Sequence, residues 1–544
     1  MAARECLVVA SRRETVEAGL QVLQAGGNAV DAAVCMAFVA AVAEPTEASI
    51  GGSGFMLIHD GPDRLAWSVE FPPRAPKAAS ADMFEPVPDR TDSRFAVAAP
   101  VCGDANATGP LAPCVPGLVA GLCLARQCFG QLPLPRLVEP AIDLADSGFE
   151  VDAYYTLQAL ANLDALLAGP AAERAFLSGG LPPVAPFAAA AEPPRLRQPD
   201  LADTLRAIAA RGPDGFYRGS VAKAIARAFR EEGGLMTEAD LDGYRADVER
   251  PLERSYRGWS VLSPRAPCGA WTAMQALAIL EQVTKAGLDR RGAARLHLLA
   301  EALRAAFADR YRFASDAPSC PERLLSDARV RDLARSIRRD RASTRALPAA
   351  PGTQDAGHGT THLSVIDSGG RMVSCTVTAG NTFGSKFVAD GTGVLFDSGM
   401  AWFDPRPGAA NSIAPGKRPL VNMAPVLLVK DGRPRLALGA AGGRRIISAV
   451  TQVVGAIVDH GLAVQEAISA PRLDASEPRL RLSDRFGGGV AAELAALGHD
   501  VLPVREQHAP FSYELARPAA AGSDEKGVLS GGIHPCGEGY VAGR

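Results

Sequence analysis

The stretch that decides the fold is GTTHLSVIDSGGRMVSCTVT, residues 359–378. Polar and apolar side chains alternate on both sides of a Ser-Gly-Gly turn, which is the pattern of two half-buried strands joined by a tight turn. A turn centred on Gly369 places Thr360 opposite Thr378 in the antiparallel pair. We therefore predict a β-hairpin whose open end brings two threonine hydroxyl groups together.

The residues before this hairpin predict a cleavage site. Residues 341–359 show no periodicity and are rich in Pro, Gly and Ala, which is typical of a linker. If the chain is cut after Gly359, Thr360 gains a free α-amino group. Such a group has a pKa of about 7.7–8.0 and can act as the general base for the hydroxyl of its own residue. The alternative is an ordinary linker entering a strand, and Thr378 is then an ordinary β-branched strand residue rather than a partner that orients Thr360.

A second hairpin, PVLLVK and RPRLALG around Asp431-Gly432, leads through GAAGG into the helical pattern RRIISAVTQVVGAIVDHG. Gly442-Gly443 lies at the start of that helix, where backbone N–H groups lack partners and the helix dipole favours negative charge. We predict an oxyanion hole there, because two glycines let a substrate approach the backbone closely. The alternative is a common glycine-rich turn between a strand and a helix.

The N-terminal part predicts a helix that stops at Gly26-Gly27, a helix from Ala29 to about Ala43 that is apolar on nearly all sides, and a hairpin after Pro45. Residues from about 115 to 340 are rich in Ala, Leu and Arg and predict mainly helices. Strand pairs followed by helices, without a regular βαβ alternation, indicate an α+β fold.

Composition excludes several classes of protein. The net charge of −3 over 544 residues gives no sign of a nucleic-acid or anionic membrane partner. Ten scattered cysteines without a CxxC pair argue against a metal framework and suggest buried thiols in a reducing compartment. The N-terminal residues do not read as a secretory signal, and no stretch reads as a membrane span. We therefore expect a cytoplasmic enzyme that needs neither metal nor cofactor.

Several ordered blocks resemble the γ-glutamyltranspeptidase family over roughly residues 8–505. The blocks are GGNAVDAAV at 26–34, IGGSGFML at 50–57, GPDGFYRG at 212–219, GGLMTEADLDGYRADVERPL at 233–252, GKRPL at 416–420 and GAAGGRRI at 439–446. The resemblance implies a four-layer αββα fold of the N-terminal-nucleophile hydrolases, with a largely helical outer part. It also implies a large subunit 1–359 and a small subunit 360–544 from one processed precursor. The family's catalytic positions correspond to Thr360, Thr378, Gly442 and Gly443.

The resemblance also reveals departures in the substrate pocket. The family has an arginine where this chain has Pro72, and the nearest basic residue is Arg74. Trp402 stands where the family has the acidic residue that holds the substrate α-amino group. Gly380, followed by Asn381, replaces an asparagine, and Val421-Asn422 replaces two serines. The predicted substrate-binding residues are Arg74, Gly380, Asn381, Trp402, Val421 and Asn422.

A zwitterionic glutamyl head needs charge-assisted partners, so these changes predict a different acyl substrate. We expect a self-processing N-terminal-threonine hydrolase or acyltransferase that cleaves an amide-type bond of a small molecule. Three alternatives stay open: a γ-glutamyl hydrolase or transferase acting on glutathione, a hydrolase of carbon–carbon bonds in a specialised pathway, and an inactive binding homologue. A homo-oligomer of the two-subunit unit is a further open alternative.

Overall fold

The computed structural model describes residues 2–61, 65–87, 100–186, 191–284, 289–345, 347, 358–506, 514–535 and 539–544. The strands in chain order are β1 (Ala2–Ala3), β2 (Leu7–Ala10), β3 (Ser53–His59), β4 (Ala66–Phe71), β5 (Phe149–Glu150), β6 (Arg195–Leu196), β7 (Asp247–Glu249), β8 (Leu252–Tyr256), β9 (Trp259–Ser263), β10 (His358–Ile366), β11 (Met372–Asn381), β12 (Val388–Ala389), β13 (Val394–Leu395), β14 (Val426–Lys430), β15 (Arg433–Ala441), β16 (Leu473–Asp474), β17 (Leu480–Ser483), β18 (Val501–Val504), β19 (Arg517–Ser523), β20 (Leu529–Ile533) and β21 (Tyr540–Gly543).

The helices in chain order are α1 (Arg13–Gln24), α2 (Ala29–Ala43), α3 (Leu118–Phe129), α4 (Leu134–Ser147), α5 (Ala153–Ala161), α6 (Leu163–Leu167), α7 (Pro170–Phe176), α8 (Pro199–Arg211), α9 (Asp214–Tyr217), α10 (Gly219–Glu231), α11 (Glu238–Asp242), α12 (Ala270–Val283), α13 (Ala293–Phe313), α14 (Cys320–Leu324), α15 (Asp327–Arg335), α16 (Arg445–Val458), α17 (Val464–Ser469) and α18 (Gly488–Ala496).

Two seven-stranded antiparallel sheets form the centre of the molecule. Sheet A has the strand order β1-β20-β19-β15-β14-β9-β8, and sheet B has the order β21-β2-β10-β11-β3-β4-β7. Apolar side chains from both sheets, including Leu57, Ile366 and Leu427, meet between them in a separate buried cluster. Each sheet therefore buries one face against the other sheet, as expected for a sandwich.

Helices cover the two outer faces. Helices α1 to α4 and α8 to α11 pack on sheet B, with α2 buried along its whole length. Helices α12 to α18 pack on sheet A. The layers follow the order helix, sheet, sheet, helix, which confirms the predicted αββα class.

The hairpin of β10 and β11 has the predicted register. Thr360 pairs with Thr378, and the pairing continues without a shift to Ile366 and Met372 at the turn. The register shifts between Gly359 and Thr360, at the open end, so β11 carries an extra residue there. The bulge lies where the predicted cleavage site is.

The N-terminal part contributes more strands than its sequence predicted. Strand β9 extends sheet A by pairing with β14, and β8 pairs with β9 at the edge of that sheet. Strand β7 closes one edge of sheet B. Their alternation is short and lies between helix-forming segments, so periodicity alone favoured helix. Most of the predicted linker 341–359 lies outside the described residues, since only 341–345, 347, 358 and 359 are described.

Candidate active site

Two buried threonine hydroxyl groups meet at the open end of the β10–β11 hairpin. The Oγ1 atoms of Thr360 and Thr378 are 2.9 Å apart. The hydroxyl of Thr378 donates a hydrogen bond to the carbonyl oxygen of Gly359 and accepts one from the N–H of Gly380 at 3.0 Å. Because a hydroxyl has one proton, Thr360 must be the donor to Thr378. The bond network therefore holds the Thr360 oxygen close to the Gly359–Thr360 peptide group.

Gly359 is enclosed by backbone on two sides. A Cβ atom at this position would lie 2.3 Å from the carbonyl oxygen of Asn381 and 2.8 Å from that of Thr46. Any side chain would therefore displace the backbone at the bulge. Glycine is required here, and it leaves the carbonyl carbon unhindered.

The backbone nitrogen of Thr360 has a carboxylate partner that sequence reasoning missed. Its N–H donates to Oε2 of Glu47 at 2.8 Å. Glu47 lies in the turn between α2 and β3, where its own carbonyl accepts from the N–H of Ala379. A usable signal did exist in the sequence: a glutamate between a largely apolar helix and a glycine-rich strand is expected to be buried and must then have partners.

Glu47 is held from two further directions. The hydroxyl of Tyr154, on α5, donates to Oε1 of Glu47 at 2.5 Å, and Nη2 of Arg517, on β19, lies 3.2 Å from the same oxygen. Burial raises the pKa of Glu47, while Arg517, Tyr154 and the Thr360 N–H act in the opposite direction. Three donors of the protein thus offset the cost of burying the Glu47 carboxylate.

Gly442-Gly443 lies at the same end of the sandwich as Thr360. Ala441, the last residue of β15, pairs with Arg517, whose guanidinium contacts Glu47. Both glycines have positive φ angles, 134° and 60°, and they lie just before Arg444, the N-cap residue of α16. Their predicted role in an oxyanion hole stays a prediction.

A row of buried polar side chains continues from the two threonines between the sheets. The imidazole of His362 contacts the hydroxyl of Thr376 through Nδ1 at 2.8 Å and the hydroxyl of Ser364 through Nε2 at 2.9 Å. Ser364 in turn donates to the carbonyl oxygen of Ala437 in sheet A. Burial lowers the pKa of His362 to about 3, so the ring is neutral. The row joins the two sheets below the site.

Two predicted substrate-binding residues follow Thr378 directly. Gly380 has a φ of 94°, and its N–H is engaged by Thr378, so this position contributes backbone only. Asn381 is buried, its N–H donates to Oγ of Ser398, and its Oδ1 has no hydrogen-bond partner among the described residues. Asn381 thus offers a side-chain group near the nucleophile, and Gly380 does not.

Three other predicted pocket residues are buried. Trp402 ends a short 3-10 helix, Gly399–Trp402, which begins next to Ser398 at the open end of the hairpin. Its ring lies in the same apolar cluster as Val421. Asn422 is also buried, and the backbone carbonyl of Val421 accepts from Arg310 at 2.7 Å. Trp402 thus supplies a buried aromatic ring where the family has an acidic residue.

Arg74 is held by partners of its own. Its backbone pairs with Val115, and Nη2 lies 3.5 Å from the carboxylate of Asp247. The guanidinium also lies over the ring of Tyr244. In this conformation Arg74 is engaged with Asp247 and Tyr244, and its predicted role in substrate binding stays a prediction.

Within the described ranges, no group of three or more His, Cys, Asp or Glu side chains is arranged to hold a metal ion. Nor does any helix in the described part of the chain have the length and apolar character that a membrane crossing requires.

Known proteins resemble this chain over nearly its whole length. The sequence profile of the family described as Gamma-glutamyltranspeptidase matches residues 15–539. The acylase ACY 1 proenzyme of Pseudomonas sp. (strain V22) is 36% identical over 503 residues, covering 91% of this chain and 87% of that protein. The glutathione hydrolase proenzyme of Escherichia coli (strain K12) is 33% identical over 518 residues, covering 92% of this chain and 86% of that protein.

A solved structure also resembles this chain in fold. The crystal structure of cephalosporin acylase from Bacillus halodurans superposes with a TM-score of 0.86 at 26% identity, covering 100% of this chain and 96% of that one. The length of the matches, the sequence identities and the shared fold agree with the contact between Thr360 and Thr378 at the open end of the hairpin. This chain is an N-terminal-nucleophile hydrolase or acyltransferase and belongs to the γ-glutamyltranspeptidase family.

Proposed function

We propose that the chain cleaves itself between Gly359 and Thr360 and then uses Thr360 to hydrolyse an amide bond of a small molecule through an acyl-enzyme. The observation that carries the proposal is the hydrogen-bond network in which Thr360 donates to Thr378 and Thr378 donates to the Gly359 carbonyl oxygen. The relatives described as proenzymes support the processing step.

The proposed self-cleavage is an N-to-O acyl shift. The Thr360 oxygen attacks the Gly359 carbonyl carbon, while the Thr378 hydroxyl stabilises the negative charge that develops on the carbonyl oxygen. The C–N bond then breaks, the nitrogen takes up the proton lost by the hydroxyl, and an ester remains. Water hydrolyses this ester and releases the fragments 1–359 and 360–544.

The same atoms serve catalysis afterwards. The free α-amino group of Thr360 accepts the proton of its own hydroxyl, and the oxygen attacks the substrate carbonyl. The N–H groups of Gly442 and Gly443 stabilise the oxyanion of the tetrahedral intermediate. The protonated amine then donates to the leaving nitrogen, and water or an amine acceptor removes the acyl group.

Cleavage is tested by substitution at the nucleophile. Thr360→Ala should give a folded, uncut chain without activity, and Thr360→Ser should still be cut because it retains a hydroxyl. Mass spectrometry of the purified proteins identifies the new N-terminus. Cleavage of Thr360→Ala before residue 360 would refute the mechanism.

We propose further that the acyl group lacks an α-ammonium group. The support is Trp402, a buried neutral side chain in an apolar cluster at the position of the family's acidic residue, so this position supplies no negative charge to pair with an ammonium group. Glutaryl-p-nitroanilide and γ-glutamyl-p-nitroanilide differ only in that ammonium group and therefore form a matched pair. We expect kcat/KM to be at least tenfold higher for the glutaryl compound.

A higher kcat/KM for the γ-glutamyl compound, measured on enzyme that mass spectrometry shows to be cleaved, would support the alternative, a γ-glutamyl hydrolase or transferase. The 33% identity to the E. coli glutathione hydrolase proenzyme favours this second candidate. A cephalosporin with an acyl side chain is a further substrate to test, because the similar B. halodurans structure is described as a cephalosporin acylase.

A further inference from the structure

We propose that Glu47, braced by Tyr154 and Arg517, orients the α-amino group of Thr360 and sets the pH range in which it acts as a base. The inference rests on the proposed use of Thr360 as an N-terminal nucleophile. It concerns a group outside the predicted catalytic set, contributed by a turn 313 residues away along the chain.

The first step of the argument is the contact itself. The nitrogen of Thr360 donates to Oε2 of Glu47 at 2.8 Å, and Glu47 is 3% exposed. After cleavage the amide nitrogen becomes an amine, which is still a hydrogen-bond donor. The hydrogen bond to Glu47 fixes the direction of one N–H bond of the amine. It thereby restricts where the nitrogen lone pair points, and this lone pair must accept the proton of the Thr360 hydroxyl.

The second step is the bracing of the carboxylate. Oε1 of Glu47 accepts from the Tyr154 hydroxyl and from Arg517, so the carboxylate reaches Thr360 through its other oxygen. The Arg517 guanidinium also lies over the Tyr154 ring, 5.2 Å from its centre. Three elements far apart in sequence thus hold a single carboxylate at the nitrogen of the nucleophile.

The third step concerns charge. When the amine accepts the hydroxyl proton it becomes an ammonium ion, and Glu47 supplies a buried negative charge beside it. The same charge raises the pKa of the amine, and Arg517 limits that rise. The proton stays on Thr360 in this step, because it moves from Oγ1 to the α-amino nitrogen. It passes to the leaving group later.

Other charged groups surround Glu47 and belong to the same balance. Glu44 lies on the same turn, and burial raises its pKa to about 8, so it carries a proton at neutral pH. Arg12 and Asp152 form an ion pair on the other side of the small cavity beside Glu47. These groups are present in every variant compared below, so a difference between variants reports on the altered residue.

The decisive variant is Glu47→Gln, which keeps an acceptor oxygen and removes the charge. The α-amino group must be neutral to act as a base, so kcat/KM rises with pH through the pKa of the amine. Removing the negative charge lowers that pKa, and we expect the acid limb of the profile to move to lower pH by about one unit or more. A role in folding alone would lower kcat/KM without moving the limb.

The measurement uses cleaved enzyme and whichever of the two p-nitroanilides the wild type hydrolyses faster. Coincident acid limbs for wild type and Glu47→Gln would overturn the inference. It would leave the proposed function intact, provided that wild type is cut and active and Thr360→Ala is neither.

A second pair of variants keeps the test decisive if Glu47→Gln fails to cleave. Tyr154→Phe removes a donor to Glu47, and Tyr155→Phe removes the neighbouring buried hydroxyl, which donates to the carbonyl of Phe176 instead. We expect kcat/KM to fall about tenfold or more in Tyr154→Phe and less than threefold in Tyr155→Phe. Equal losses in the two variants would contradict the inference.

Discussion

His362 is a neutral base held in the interior, and this has a consequence for acid stability. Its pKa is about 3 in the folded protein and near 6.5 in an unfolded chain. Between pH 6.5 and pH 3, His362 is therefore protonated in the unfolded state and neutral in the folded state. The free energy of unfolding consequently falls as the pH drops from 6.5 toward 3. At pH 5 this residue alone should account for about 2 kcal/mol.

The measurement compares urea unfolding of Thr360→Ala with that of Thr360→Ala/His362→Gln between pH 8 and pH 4. The uncut background keeps unfolding a reaction of one chain. The slope of stability against pH should be shallower in the double variant, although His499 and His534 have lowered pKa values and retain part of it. An unchanged slope would show that His362 is not the titrating group.

Single residues also show what the sequence can and cannot predict. The pairing of Thr360 with Thr378 was predictable because a tight turn fixes the register of a hairpin. The identity of the partners of Glu47 was not predictable, since its contacts with Thr360, Tyr154 and Arg517 all cross long stretches of chain. Local periodicity carries no information on which distant donors a buried carboxylate will meet.

The strands β10 and β15 approach each other closely, since they face one another across the two sheets. A Cβ atom at Gly439 would lie 2.2 Å from Nδ1 of His362. We expect Gly439→Ala to reduce the free energy of unfolding by about 1–3 kcal/mol, because the added methyl group must push the sheets or the imidazole aside.

Gly489, in α18, provides the control for that substitution. A Cβ atom there has no heavy atom within 4 Å, so Gly489→Ala should leave stability unchanged or raise it by up to about 1 kcal/mol. Denaturant midpoints and slopes of both variants decide the matter. Equal effects at the two glycines would mean that the sheets are not in tight contact at Gly439.

Helices and strands differ in how well the sequence predicted them. Helix α2 was predicted with its observed bounds, 29–43, because a long run that is apolar except for Asp31 leaves few alternatives. Strands β8 and β9 were missed, since five residues each are too few for a distinct period and their partner β14 lies far along the chain.

Strands of the N-terminal part (residues 1–359) and strands of the C-terminal part (residues 360–544) are interleaved in both sheets. In sheet B, β2 from the N-terminal part lies between β21 and β10 from the C-terminal part, and β3, β4 and β7 from the N-terminal part follow β11. In sheet A, β1 from the N-terminal part lies at one edge, β8 and β9 lie at the other, and strands of the C-terminal part occupy the middle. The layered fold was predicted from the resemblance, but this alternation was not, because strand order depends on long-range pairing.

If the chain is cut after Gly359 as proposed, the alternation of strands makes the cut a one-way event for the molecule. Unfolding of the uncut protein gives one free chain, whereas unfolding of the cut protein would give two, and the gain in translational entropy favours the unfolded state more strongly as the protein is diluted. In the native state the two sheets would hold the fragments together. After unfolding, the fragments would have to meet by collision before they could refold, a step that a single chain does not need.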